Sequence, residues 1–532
     1  MRLTFLPDGT VQVRTGKVEL GQGISTALAQ IAADELGLAP QQVRMLAADT
    51  MFGPDEGMTS GSLSVQDAGA ALRRACRESG KARPLAEGSR PVVGQSMPRL
   101  DLPAKFAGAP SFIHDLDPAG LLHGHSQGIF PLRRDLALAF GLAPEEVRVQ
   151  HAEGAGCYGH NGADDVAFDA AWLARECPGR PVRVLWSRAD ELSLAPFGPA
   201  MEIELDAALD ADGRVLHWRH QVWSPGHSGR PGRSATPALL GSWQTENAFA
   251  APPSINMPLA VGGGAERNAV PGYALPAFQV LSHRTTAPLR SSALRSLGAF
   301  GNVFAAESFV DEIAQAIGVD PLEWRRRHLA HDPRGLAVLE LAAQRAGWTT
   351  RRRGVAGDRG DRGDEGGAGA ERGDPSHEAI GHGLGFARYK GTGAWCAVVA
   401  EVAAGAQLRV LRLTIAVDVG LAVNPDGVVA QIEGGAVQAT SWALKEAVQF
   451  DAEGITSNTW ERYPILRFTE VPAVAVHRVP STLPSLGAGE ASLGPTAAAI
   501  ANALFDALGV RVRELPLTAE RIAAAINDSP SS

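Results

Sequence analysis

The sequence predicts a mixed α+β fold in which helices and strands interleave. Three observations carry this reading. Short runs alternate apolar and polar residues with period two between turn residues. Longer runs space their apolar residues by three and four. Gly-rich loops join one kind of run to the other, where backbone can approach a ligand closely.

Taken in order, residues 2–20 alternate as strand (Leu3, Phe5; Val11, Val13) around a Pro-Asp-Gly turn at 7–9. A helix follows, with Ile24, Leu28, Ile31 and Leu36 on one face, and a second covers 65–78. The Pro- and Gly-rich segment 81–124 reads as small strands and loops. From 133 onward the pattern gives helix 133–141, strand 146–151, helix 163–175 and strand 182–187. Strands near 201–207 and 214–223 follow, then an irregular stretch, 225–290, expected to wall a site. Helices are predicted at 303–317, 321–329 and 335–347. Residues 351–378 are low-complexity charge and glycine, the composition of a flexible linker. Strands at 394–402 and 407–418, a long helix near 427–448 and a final loop and helix complete the chain.

Composition narrows the function. Of 532 residues, 49 are Lys or Arg and 58 are Asp or Glu, and the net charge of −9 argues against a nucleic-acid surface. No run of 18 apolar residues suggests a membrane span, and the N-terminus shows no apolar leader core, so a cytoplasmic location is expected. A periplasmic one would follow if a leader has been lost. The four cysteines (Cys76, Cys157, Cys177, Cys396) form no CxxC pair, so neither an iron–sulfur cluster nor a protein-ligated metal is expected within the chain. His123 and His125 read as a solvated pair in a loop rather than as ligands.

Six Gly-rich segments carry the candidate chemistry. GKVELGQGI (Gly16–Ile24) joins a strand to a helix start, where backbone amides can meet an anion. MTSGSLSVQDAG (Met58–Gly69) adds hydroxyls before another helix, and GAGCYGHNGADD (Gly154–Asp165) is a third such junction. ALRSLGAFGN (Ala293–Asn302) places Arg295 ahead of a helix, and QIEGGAVQA (Gln431–Ala439) puts Gln438 on the long one. GAGEASLGPT (Gly487–Thr496) holds Glu490 on a tight turn, with Pro495 expected as the first helical residue. A lone loop glutamate is ordinarily solvated. One fixed on a turn against a helix is presented as a general base would be.

Together, and in this order, the segments resemble the molybdopterin-binding large subunit of the xanthine dehydrogenase / aldehyde oxidase family. The similarity is greatest to the branch of isoquinoline 1-oxidoreductase β chains and nicotinate dehydrogenase large chains. The resemblance implies the molybdenum-cofactor-binding domains of that family. It implies that Gly21, Gln22, Gly23, Gly61, Ser62, Ser64 and Gln438 wrap the pterin and its nucleotide tail, and that Gly156, Cys157 and Tyr158 lie beside the molybdenum. It makes Glu490 the catalytic base and turns Arg295 toward the substrate. The metal would be held by the pterin's sulfurs, with no protein ligand. The implied activity is hydroxylation of an electron-poor carbon of an N-heterocycle or aldehyde with water-derived oxygen. The implied cofactor is molybdenum–molybdopterin in its cytosine dinucleotide form. Electrons would leave to a separate small [2Fe–2S] subunit and onward to an acceptor such as a c-type cytochrome.

The resemblance has a gap. HDLDPAGLLHG (His114–Gly124) looks like the opening of a hammerhead domain, whereas HSQGIFPLRRDLALAFGL (His125–Leu142) looks like the middle of the following domain. The expected layout is therefore a first molybdopterin-binding piece at 1–80, a hammerhead remnant at 81–124, and a molybdopterin-binding domain at 125–347. A flexible linker at 348–380 and a C-terminal molybdopterin-binding domain at 381–532 follow. The hammerhead is largely missing, and a truncated, non-catalytic remnant that folds or binds a partner is the alternative reading. A dinucleotide-binding dehydrogenase is set aside, because no GxGxxG opens a βαβ unit.

Overall fold

Three alternate glycines on one strand let a helix lie directly on a sheet, and that contact organises the C-terminal half. The computed structural model describes residues 2–84, 91–115, 121–348 and 378–528. The expected linker at 351–378 falls almost entirely outside them.

At the N-terminus, β1 (Leu3–Phe5) and β2 (Val11–Arg14) pair antiparallel. Helix α1 (Ile24–Leu36) then leads to β3 (Val43–Leu46), parallel to β2. Leu28, Ile31 and Leu36 pack with Val11, Val13, Val43 and Leu72 in one apolar core. A π-helical turn, Ser64–Gly69, opens α2 (Ala70–Glu78). The 81–124 segment contributes a short helix, α3 (Leu102–Phe106), and β4 (Leu122–Gly124). His123 is thus a strand residue, not a loop residue.

Helix α4 (Ile129–Phe140) begins four residues earlier than the spacing predicts. Pro131 lies in its first turn, where the missing N–H would have had no partner anyway. β5 (Val149–His151), parallel to β4, is shorter than the predicted strand, and α5 (Asp165–Glu176) follows. The strand expected at 182–187 does not form. Its burial alternates as a strand's would, but among the described residues no neighbouring strand pairs with it, and it runs extended into α6 (Arg188–Leu194).

β6 (Glu202–Leu209), β7 (Val215–Ser224) and β8 (Phe278–Arg284) form a three-stranded sheet. β8 emerges from the stretch read as irregular. Helices α7 (Ala299–Ala316), α8 (Pro321–His328) and α9 (Pro333–Ala346) follow. Arg325 is fully buried beneath α7, where its Nε donates to Glu307 Oε2 (2.9 Å) and its Nη1 to Asp311 Oδ1 (2.7 Å).

β9 (Ala379–Arg388), β10 (Trp395–Ala404), β11 (Leu408–Asp418) and, after α10 (Pro425–Leu444), β12 (Ala473–Arg478) make the largest sheet, in the order β12-β11-β10-β9. β9 and β12 were not anticipated. In β9 glycine occupies every second position from 381 to 385, which removes the side chains that would advertise a strand. The structure explains those glycines. Helix α11 (Leu493–Leu508) lies across them, and a Cβ at Gly381, Gly383 or Gly385 would meet α11 backbone at 2.0–2.2 Å. Every residue of α11 from Leu493 to Phe505 is buried. It starts two residues before Pro495. A terminal helix, α12 (Ala519–Asp528), closes the described chain.

Gly383→Ala should lower stability by about 2–3 kcal/mol or more, because backbone on both sides (Ala503 N, 2.1 Å; Ala499 O, 2.2 Å) cannot yield. Gly405→Ala, which meets only the flexible Glu378 side chain, should cost far less. Urea midpoints of the two variants check this.

Candidate active site

The loop between β12 and α11 presents Glu490 under tight constraint. Leu486 N donates to Val419 O (2.7 Å) at the end of β11, and Ser485 Oγ donates to Leu421 O (2.6 Å). Gly487 passes so close to the Ser62 turn that a Cβ there would sit 1.6 Å from Ser62 O, so no other residue fits. The carboxylate then has two fixed donors: Ser62 Oγ reaches Oε2 (2.9 Å) and the Ser296 N–H reaches Oε1 (3.1 Å).

Several cations surround it. Arg267, almost fully buried, donates to Gly262 O (2.9 Å), Gly263 O (2.7 Å) and the Tyr389 hydroxyl (2.7 Å). Lys390 Nζ donates to Gly61 O (2.5 Å). Burial opposes ionisation of Glu490, but the charges of Arg267 and Lys390, then the Ser296 N–H and Ser62 hydroxyl, outweigh it. Its carboxyl lies below the usual carboxylate range. The base is therefore ionised at neutral pH. Burial, then the charge of Glu490, pushes the Tyr389 phenol well up, so it stays neutral.

Arg295 was expected to face a substrate. Its guanidinium is instead engaged with protein acceptors: Nε donates to Gly489 O (2.6 Å), Nη2 to Gln431 O (3.0 Å) and Nη1 to Gln438 Oε1 (3.2 Å). It ties the Glu490 loop to α10. Gln438 Nε2 donates in turn to Tyr158 O (3.3 Å). Gly159 presses on Arg295, where a Cβ would lie 2.4 Å from its N, and the Tyr158 ring is 70% exposed. Cys157 is partly exposed in the same loop. Arg230, missed in the sequence, holds this loop from beneath through Gly159 O (2.5 Å) and Ala293 O (3.0 Å).

Gly61 and Ser62, both at positive φ, form the turn facing Glu490, and Ser64 opens the π-helical turn behind them. Gly21, Gln22 and Gly23 lie at the start of α1, one strand removed, and their polar groups are already engaged. The Glu19 carboxylate accepts from Gly21 N (3.0 Å), Gly23 N (2.8 Å) and Ser25 N (3.0 Å). Gln22 closes its own turn, accepting from Leu20 N (2.6 Å) and donating to Val18 O (2.9 Å). The segment reaches the site through Lys17 and Val18, which bond to Met58 O and Thr59 Oγ1.

The donor set around Glu490 suits an anionic, oxygen-rich group. Among the described residues the N–H groups of Cys157, Tyr158, Gly489 and Glu490 have no protein acceptor, and Gln127 Oε1 is buried without a partner. Gly434, open on α10, Gln438, Arg295, Cys157 and Tyr158 all border a cavity of about 2410 Å³ that extends past α5 to 180–201. Among the described residues no cluster of three His, Cys, Asp or Glu side chains could hold a metal directly. No helix among them is long and apolar enough to cross a membrane.

Residues 1–90 with 310–472, and separately 113–243, match two family models, each described as a molybdopterin cofactor-binding domain. The chain belongs to the xanthine dehydrogenase family of molybdopterin cofactor-binding proteins. Within it, the chain is similar to the molybdopterin-family chain of nicotinate dehydrogenase from Pseudomonas putida, with 39% identity over 74% of this chain and 31% of that one. It is similar also to the β chain of isoquinoline 1-oxidoreductase from Brevundimonas diminuta, with 31% identity over 71% of this chain and 43% of that one. The chain thus spans under half the length of either relative. Quinoline 2-oxidoreductase from Pseudomonas putida 86 shares the fold (TM-score 0.59, 15% identity, 77% of this chain and 72% of that one). So does a Cu,Mo-CO dehydrogenase (TM-score 0.56, 13% identity, 76% and 71%).

One carboxyl beneath the site has the opposite character to Glu490. Burial pushes Asp164 up to about 8, against the Ser126 hydroxyl that donates to its Oδ2 (2.8 Å). A folded-state pKa above the unfolded value of about 3.9 means full stabilisation below pH ~4, lost as pH rises through about 8. Urea unfolding from pH 4 to 9 should show the parent protein losing stability relative to Asp164→Asn by at most about 1.4 kcal/mol per pH unit, then levelling off. Parallel curves would contradict the assignment.

Proposed function

We propose that this chain is the large subunit of a molybdenum hydroxylase that acts on an electron-poor carbon of an N-heterocycle or aldehyde. One observation carries the reading. An ionised Glu490, held by Ser62 and the Ser296 N–H, stands where the 61–62, 156–158, 295–296 and 438 segments converge. Overall, a C–H and water become C–OH, two protons and two electrons. When bound, the molybdenum–molybdopterin supplies the two-electron redox chemistry.

The protein's own part is positioning and proton handling. Gly61, Ser62, Ser64 and Gln438 would hold the pterin, with the Cys157 and Tyr158 amides beside it. A contact by Gly21, Gln22 or Gly23 with the nucleotide tail requires the Glu19 carboxylate to give way. Glu490 takes the proton of the attacking, water-derived oxygen. Arg267 and Lys390 disfavour its protonated form, so the proton passes on and the base is restored. Arg295 acts by fixing the base loop to α10 rather than by touching substrate.

The finer identity of the complex belongs to the same proposal: the cytosine dinucleotide form of the cofactor, a small [2Fe–2S] subunit as electron acceptor, and a c-type cytochrome beyond it. The scattered cysteines, all free, support a cluster-bearing partner. The reading of 81–124 as a hammerhead remnant is supported by the unpaired stretch 181–187 along the large cavity, which has the form of a strand whose neighbour is missing.

Co-produced with its iron–sulfur partner, the chain should bind molybdenum near one-to-one, and its cofactor should release a cytosine nucleotide on hydrolysis. Glu490→Gln should retain the metal and lose turnover by about 10²–10⁴-fold. A molybdenum-replete Glu490→Gln enzyme with undiminished turnover would overturn the assignment.

A further inference from the structure

We propose that Lys390 is a positioning residue for Glu490, clamping the turn that serves the carboxylate and confronting it with a fixed positive charge. Lys390 lies outside all six Gly-rich segments. It sits at the tip of the β9–β10 connection at φ +57°, a conformation a lysine adopts only under constraint.

The constraint is visible. Asn268, itself at φ +62°, accepts from Lys390 N (2.9 Å) and donates to Arg388 O (2.8 Å). Gly393 N donates to Tyr389 O (2.7 Å), closing the turn. The side chain is then delivered past Gly262, where a Cβ would lie 2.6 Å from Lys390 Cδ, to the Gly61 carbonyl. Ser62, the next residue and also at positive φ (+59°), donates to Glu490. Asn268, Lys390 and Ser62 thus form a series of left-handed residues ending on the base. Strain of this kind persists where surrounding structure over-determines it, commonly at functional sites.

Tyr389, the adjacent residue, works on the same carboxylate through Arg267, whose Nη1 donates to its hydroxyl. One turn therefore governs both sides of Glu490. The charged and titratable groups facing Glu490 are Arg267, Lys390, Arg295, Arg230 and Tyr389. Those facing Lys390 are Glu490, Arg267 and Asp67. Among the cations around Glu490, Lys390 alone is both partly exposed and bonded to the turn carrying Ser62.

The kinetic consequence rests on the proposed role of Glu490 as base, so the test reads the carboxyl directly as well as turnover. In the purified complex, difference infrared spectroscopy with ¹³C-labelled glutamate, referenced to Glu490→Gln, follows protonation of this one carboxyl. Lys390→Met should move its titration to higher pH by about one unit or more, and Lys390→Arg should largely restore it. Lys390→Gln, which keeps a polar side chain, gives the same reading should the Met variant fail to fold. The acid limb of kcat/KM should move upward in parallel. A carboxyl that titrates at the parent pH in folded Lys390→Met or Lys390→Gln overturns the proposal. A shifted carboxyl with an unmoved acid limb supports the role of Lys390 and instead refutes Glu490 as the base.

Discussion

An enclosed carboxylate must be compensated, and the compensation of Glu490 dictates how distant parts of this chain meet. Removing a carboxylate from water is costly unless hydrogen bonds and opposite charge replace the lost hydration. Here the replacements come from far along the sequence: Ser62 lies 428 residues away and Ser296 194 residues away. Arg267 and Lys390 come from two further connections, one ahead of β8 and one after β9. A general base must be ionised before it can act, and these groups hold it so. The same groups that stabilise the fold at this point also set the chemistry.

That convergence depends on backbone coming closer to backbone than any side chain permits. The β9 glycines seat α11 on the sheet, and the seated helix fixes the loop that precedes it. Gly487 then slides past Ser62, and Gly159 past Arg295. Because α11 is buried on nearly every side, the loop has no freedom to trade position for packing. Arg295 adds a lateral tie from the loop to α10. A glutamate on an ordinary surface turn would have none of these restraints.

Much of this was legible in the residues, for physical reasons that also explain the misses. Amphipathic α1, α5 and α9 show their spacing openly, and β6, β7, β10 and β11 alternate clearly. Glu490 was legible because Gly487, Gly489 and the helix after them mark a constrained turn, and Ser62 because its loop repeats the pattern. β9 was hidden because its glycines serve the helix above it rather than the strand itself. The 182–187 run has a strand's alternation but lacks a partner, and alternation alone cannot supply hydrogen bonds. Arg295 was placed correctly beside Glu490, but its direction is decided by Gly489, Gln431 and Gln438. Arg267, Arg230 and Lys390 were invisible because a buried cation looks like any other until its carbonyl partners are known. The faint signal for Lys390 was its place in Tyr-Lys-Gly-Thr-Gly, a turn-forming run immediately before a buried strand.

Convergence of these loops on the cofactor, with Glu490 in front of it, is tested most directly by a molybdenum anomalous-difference map from crystals of the purified complex. A single peak is predicted in the space bounded by Cys157, Gln438 and Glu490, within reach of the Glu490 carboxylate. A peak elsewhere in a fully loaded protein, with Glu490 still tied to Ser62 and facing no metal, would contradict it.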